Sequence, residues 1–531
     1  MKKILSILFL FIYVSTHAQL GGNISGDLMM NVNFFQRDTT IKAAGNPLYD
    51  NLLSGGEGWL GLRYSTKGFN AAVRFDGFHN SNLLNPTSAL TAGGIGMFNL
   101  SKEYKNLTIS AGHIYDQIGS GILFRAYEDR GLLIDNALFG LHLKYQASDH
   151  LTLKGFTGQS KVLFERYKPI IKGANVELDY DLGKKKTAHI TPGIGILNRT
   201  LDQDNMNIIV STINAMPIKN RFTPTYNMYG MTIYNTLNVG NFSWYGEAAF
   251  KSNEAIADAA GNLQGVNGNT IYTTLGYAFN KVGLNAAFRS TTNFQMRTSP
   301  NENLLRGILN WQPIIAQIRP QRLIARYTPP SQNLDEVGGL LNAYITPNDK
   351  ISITTSYTHI NQHNGTPLYR EAWAETELRY FKKLYIHLGG QYLYYNQSLY
   401  QGKIKSEYPD VIAITPFAEF IYKITEKKSL RSEIQYMSTK QDFGSWAFLL
   451  FEYNIAPSWS FAVSDMYNIA PNKHHIQKAN HYPNIFLAHT IGPHRFTAQY
   501  VKQVEGINCT GGVCRYEPAF SGFKLGIVSS F

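Results

Sequence analysis

Apolar and polar positions alternate with a period of two along most of the chain. In segment 241–251, Phe242, Trp244, Gly246, Ala248 and Phe250 fall on one face, and Ser243, Tyr245, Glu247 and Lys251 on the other. In 68–78, Phe69, Ala71, Val73 and Phe75 alternate with Asn70, Arg74 and Asp76. Segment 384–394 sets Ile386, Leu388 and Tyr392 against His387 and Gln391, and 429–440 sets Leu430, Ile434 and Tyr436 against Arg431, Glu433 and Gln435. A two-residue repeat belongs to a strand with one face in an apolar medium and the other in a polar one. Helical spacing explains none of these segments.

The connections form a second pattern. Short polar turns recur at 66–68, 101–103, 148–150, 183–185, 238–241, 279–281, 347–349, 381–383, 425–428, 456–458 and 492–493. Between them lie longer, mostly irregular connections at 37–56, 80–94, 116–135, 161–171, 199–225, 253–269, 292–335, 362–369, 397–408, 470–481 and 505–514, with a brief one at 440–444. Transmembrane β-barrels alternate short periplasmic turns with long extracellular loops in this way. The pattern predicts an all-β fold: a large antiparallel up-and-down barrel of about 24 strands, an even number as bacterial barrels have. Pro416 lies inside the strand predicted over 411–424, an unusual position, since proline is normally confined to edges and bulges of sheets. Residues 19–531 read as a single domain.

Composition narrows the choice further. Charged residues make up 16% of the 531 residues and aromatics 13%. The charged share is low for a soluble chain, and the aromatics exclude disorder. The longest clean apolar run is 4–14, too short for a membrane helix, which needs about 20 residues. Residues 1–18 read as a secretory signal peptide: Lys2 and Lys3, the apolar run 4–14, and a small-residue site at Thr16, His17 and Ala18. Its removal takes two lysines from the formal charge of +12, leaving +10. The last segment, 523–531, places Phe523, Leu525, Ile527 and Phe531 on one face and ends on an aromatic. It resembles the closing strand of outer-membrane barrel proteins, whose terminal Phe is read by the assembly machinery.

Candidate chemistry concentrates in two connections. Segment 116–136 carries Asp116, Arg125, Glu128, Asp129, Arg130 and Asp135. The charges suit either an ion-pair network fixing the loop to the wall or a folded-in loop that forms a constriction or ligand site. Gly119-Ser120-Gly121 lacks the ending of a phosphate loop. Segment 292–335 carries Arg297, Arg306, Arg319, Arg322 and Arg326 against Glu302 and Asp335, with a partly helical apolar pattern over 304–318 broken by Pro313 and Pro320. Inside the lumen this segment would narrow the pore and favour anions; outside, it would be a docking surface. Cys509 and Cys514, the only cysteines, are expected to form a disulfide in the last long loop. The spacing of His474, His475 and His481 matches no established metal site, so no metal is expected. His142 and His387 face inward with no serine or acid tied to them by sequence, so no enzymatic activity and no cofactor are expected. Cations spread along strands and turns, without a nucleic-acid module.

The stretch Gly119-Ser-Gly-Ile-Leu-Phe-Arg-Ala-Tyr-Glu-Asp-Arg130, then Asp135-Asn136-Ala137, Cys509-x4-Cys514-Arg515 and the terminal Phe531 resemble an uncharacterised family of bacterial outer-membrane barrel proteins. The resemblance implies location in the outer membrane, in contact with its lipids, and no known activity. The function expected is passage: a porin-like or substrate-specific channel with folded-in loops, for a small solute that the residues do not name. The alternative is a plugged barrel serving as scaffold or accessory subunit of an assembly, secretion or surface-lipoprotein complex. Other outer-membrane proteins or surface lipoproteins are its expected partners.

Overall fold

In the computed structural model every alternating segment forms a strand. Described are residues 21–84, 88–183, 187–257, 261–302, 306–331, 334–475, 478–510 and 513–531, the side chains of 508–514 excepted. Segment 1–18, expected to be a signal peptide, and the Cys509 and Cys514 side chains therefore lie outside the described residues. Their backbones are directly opposite each other in the hairpin Gly506–Thr510 / Val513–Glu517.

The main sheet joins 25 segments, of which Glu165–Leu178 and Tyr180–Leu182 are two pieces of one strand, giving 24 strands. Each strand pairs antiparallel with its sequence neighbour. The first, Asn23–Phe35, pairs on one side with Ser54–Thr66 and on the other with the last, Phe520–Ser530. Phe531 and Gly26 exchange backbone hydrogen bonds of 2.7 and 3.0 Å at this seam. Closure leaves no open edge, which hydrocarbon would penalise by several kcal/mol per unpaired backbone group.

The outward face is apolar, with Phe75, Ile196, Phe250, Ile271, Ile434 and Val463 uncovered by protein. Near the short-turn rim, Tyr104, Tyr145, Tyr180, Tyr277, Tyr422 and Trp459 point outward, the aromatic girdle of a lipid interface. The inward face carries Arg74, Asp76, Glu247, Lys251, Gln391, Glu433 and Gln435, all buried.

Three details depart from the pattern read in the sequence. Segment 161–171 and the described parts of 253–269, 253–257 and 261–269, extend the strand ladders instead of forming irregular loops, with Val162 paired to Glu165 and Ala257 to Leu263. Their backbone groups satisfy one another beyond the membrane. The partly helical pattern over 304–318 forms no helix in its described part, 306–318. The Leu309 N–H donates to Met296 and the Trp311 N–H to Gly121, so the segment's backbone bonds go to neighbouring chain. Pro416 does lie within a strand, Val411–Lys423. The ladder to Lys428–Met437 begins only at Phe417–Gln435, and beyond the gap a single bridge joins Ile414 to Ser438. The missing proline N–H falls in that gap.

Segment 199–225 folds into the helix Gln203–Ala215, capped by Asp202, whose carboxylate accepts from the Asp204 and Asn205 N–H groups. Met206, Ile209 and Ile213 bury its inner face on Leu201, Ala255 and Leu263. The main apolar core lies inside the barrel. Ile41, Leu48, Tyr49, Ile315, Leu323 and Tyr327 from long connections pack there against wall residues such as Leu340, Tyr395 and Trp446. Ile118, Ile122, Leu123, Phe124, Met296 and Leu309 pack against Phe156, Leu197 and Ala249.

Candidate functional site

Two connections, 115–137 and 293–335, enter the lumen and form one plug. They hold each other mainly through the backbone: the Arg125 N–H donates to Leu309 and the Trp311 N–H to Gly121. The Asn310 side-chain amide donates to Ile122 (3.0 Å), and that of Asn136 to Arg125 (3.0 Å) and Ile308 (2.9 Å). The Arg125 guanidinium lies between the rings of Tyr127 and Trp311, 4.7 Å from each centroid.

Arg74 fastens the first loop to the wall. Its guanidinium meets Asp76 from its own strand at 2.6 Å, and Glu128 (2.8 Å) and Asp135 (2.6 Å) from the loop. Lys161 (2.5 Å) and the Tyr115 hydroxyl (2.9 Å) complete the shell around Asp135. Burial by itself would raise the Asp135 carboxyl, but Lys161 and Arg74 together hold it below its ordinary value. Gly96 makes room for Asp76: a Cβ there would lie 1.8 Å from the carboxylate. Arg130 reaches Glu128 at 2.6 Å and Asp27 of the first strand at 3.3 Å. Asp129 instead accepts from the Leu132 N–H within its own turn.

A second anchor explains Gly119-Ser120-Gly121. The Ser120 N–H (3.0 Å) and hydroxyl (2.5 Å) donate to Glu247, which also accepts from Thr232 (2.8 Å) and Tyr245 (2.7 Å). Gly119 and Gly121 have φ of 56° and 98°, and a Cβ on Gly119 would lie 2.7 Å from Glu247. A third anchor joins Asp116 to Lys154 (2.9 Å) and His142 (3.1 Å).

The longer loop is held by its arginines in different ways. Arg319 stacks on Trp373 at 4.1 Å and donates to Ser356 at 2.5 Å, near Glu371. Arg326 lies 3.8 Å from Asp442 and 4.9 Å from the Trp446 ring. At the neck, Arg289 pairs with Glu336 and donates to the Pro313 carbonyl. Arg297 donates to the Arg306 carbonyl, and burial lowers its guanidinium to about 10. Arg306 and Arg322 are exposed.

Between plug and wall the lumen keeps a polar cleft of about 280 Å³, floored by the strands at the seam and lined among others by Asn31, Asn33, Glu57, Arg130, Gln499 and Lys524.

A family of unknown function, DUF6029, matches residues 1–531. The chain belongs to that family. No curated protein matches the sequence. Among solved structures, this DUF6029 barrel is similar to the P pilus usher (PapC) translocation pore, at 9% identity and a TM-score of 0.44, covering 96% of this chain and 99% of that one. The siderophore receptor PirA from Pseudomonas aeruginosa is 7% identical, with a TM-score of 0.44 over 96% of this chain and 80% of its own. The outer membrane protein opdK from Pseudomonas aeruginosa is 12% identical, with a TM-score of 0.36 over 70% and 93%.

The wall residues that hold the DUF6029 plug were not singled out by sequence spacing. Asp27, Arg74 with Asp76, Lys154 with Lys161, and Glu247 come from four strands of the wall, and they reach the plug only once the barrel is formed. The usable signal was an inward-facing charge in a low-charge chain, which marks Arg74, Asp76 and Glu247. Both inward histidines have acids in the fold: His142 has Asp116, and His387 has Glu375 at 2.9 Å and Glu419 at 3.6 Å. The cluster in 472–482 disperses, with His475 stacked on Tyr408 at 4.1 Å and His481 bonded to Asp465. Among the described residues no group of three or more potential ligands could hold a metal.

Proposed function

We propose that this protein is a constricted channel of the bacterial outer membrane, passing a small polar solute along the cleft between its two-loop plug and the seam wall. The cleft carries this reading: an open space of about 280 Å³ with a carboxamide-rich and charged lining inside a barrel whose outer face suits lipid. Side chains fill only small barrels, and at this size the lumen is a channel or holds a plug. The two loops supply the narrowing, and Glu128, Arg130, Asp135, Arg319 and Arg326 are paired to the wall or to each other instead of being spent on a ligand.

A closed barrel acting as scaffold for other outer-membrane proteins or surface lipoproteins is the second reading, favoured by the dry packing of Ile122, Leu123, Phe124 and Leu309. Planar-bilayer recording of the purified protein separates the two. Small, regular conductance steps are expected, and deleting 297–330 should enlarge them several-fold. A protein that stays silent with and without the deletion, and copurifies with stable outer-membrane partners, would sink the channel reading.

A further inference from the structure

The cleft floor has an ordered chemistry that a merely wet gap does not need. It is built from two transverse rows across four strands. One row runs Glu57–Asn31–Gly526–Thr497 and the other Gly55–Asn33–Lys524–Gln499. Gly526 lets the Thr497 hydroxyl approach the floor closely, since a Cβ there would lie 2.5 Å from that oxygen.

Most charges lining the cleft are already matched. Arg130 is paired to Glu128 and Asp27, and Arg515 to Glu517 at 2.8 Å. Two are not. Among the described residues, no carboxylate lies within 4.0 Å of the Lys524 ammonium, which sits 4.3 Å from the Phe520 ring centroid. Glu57 is buried and accepts from the Ser81 hydroxyl at 2.5 Å, and among the described residues it forms no ion pair. A buried, unpaired carboxylate is costly unless something neutralises it. Beyond pairing distance, Lys524 feels Glu517 first and Glu57 second, and Glu57 feels Arg515 first and Lys524 second. Between them stand the carboxamides of Asn31 and Asn33, each able to donate and to accept. At the upper end, Phe35, Tyr49 and Phe520 form an edge-to-face aromatic cluster with centroid distances of 5.2 and 5.7 Å.

We propose that the cleft is a binding subsite for a short zwitterionic peptide. Its ammonium end meets Glu57, its carboxylate end meets Lys524, its amide groups meet Asn31 and Asn33, and a small apolar side chain meets the aromatic cluster. This deepens the channel reading by naming the solute class, and rests on that reading only for the passage of what it binds.

Calorimetric titration of the detergent-purified protein tests it with trialanine, N-acetyl-trialanine and trialanine amide. Free trialanine should bind at least tenfold more tightly than either blocked peptide. Glu57→Gln keeps an acceptor for Ser81 and should abolish the preference over the acetylated peptide. Lys524→Gln should abolish the preference over the amide. Heat-modifiable migration in gels verifies that both variants are folded. Equal binding of free and blocked peptides, no binding of trialanine at millimolar concentration, or preferences unchanged in both variants would overturn the proposal. Peptide binding by a protein that conducts no current removes the passage reading and leaves the subsite. Conductance with no peptide binding does the reverse.

Discussion

Arg74 is a buried cation with three carboxylates, and its worth to the molecule lies in what its removal leaves behind. Arg74→Met would strand Asp76, Glu128 and Asp135 with only Lys161 and Arg130 to balance them. Breaking a buried pair in this way costs about 3–5 kcal/mol. A lower midpoint of thermal unfolding in detergent, and tryptic cleavage after Arg125 or Arg130, are the expected outcomes. Gly96→Ala should act in the same direction by expelling the Asp76 carboxylate, and comparing the two midpoints checks it. Asp135 also sets an acid limit. Its folded-state carboxyl is depressed, so its contribution is fully present above the ordinary value of 3.8 and is lost as pH falls through the lower folded one. Asp442 behaves alike: burial would raise it, but Lys403 and Arg326 hold it down. The plug should therefore stay seated through mild acidification and loosen only below about pH 4, read as a rise in single-channel current. The charges in 116–136 were legible as a cluster from sequence, whereas their partners were not, because Arg74 and Lys161 sit on strands far apart in the chain.

Strands were the most legible elements, since a period of two survives any neighbour. Connections were less so. Whether a long connection continues the ladder, as up to Val162 and Ala257, or leaves it, as at 115–137, depends on what lies opposite. The apolar spacing around Ile308, Leu309 and Trp311 suggests a helix by pattern, yet the other loop offers its backbone first. Asn310 is the hinge of that exchange, donating to Ile122 and Phe294 and accepting from the Met296 N–H at 3.0 Å. Asn310→Ala would leave three buried backbone groups without this partner, at about 1–3 kcal/mol each. Faster amide hydrogen exchange confined to 118–126 and 294–312, with the wall strands unchanged, is the expected result.

For the whole molecule, the seam decides between a barrel and an open sheet. Phe520–Ser530 satisfies the first strand on one side and His494–Gln503 on the other. Removing 523–531 would leave both edges unpaired in hydrocarbon, at several kcal/mol per group. No heat-modifiable band should then form on gels after refolding into detergent, while replacing Phe531 alone by Leu should leave one.

Fold class, an even count of about 24 strands, the phase of turns and loops, and the lipid-facing side of each strand were readable from the order of residues alone. Those properties are local, because side-chain alternation and turn chemistry are written within a few consecutive residues. That two connections plug the lumen together, which wall charges hold them, and that Glu57 and Lys524 form no ion pair among the described residues of a common floor, emerged with the folded barrel. Such facts depend on strands far apart in the chain becoming neighbours, and closure of the cylinder is what makes them so.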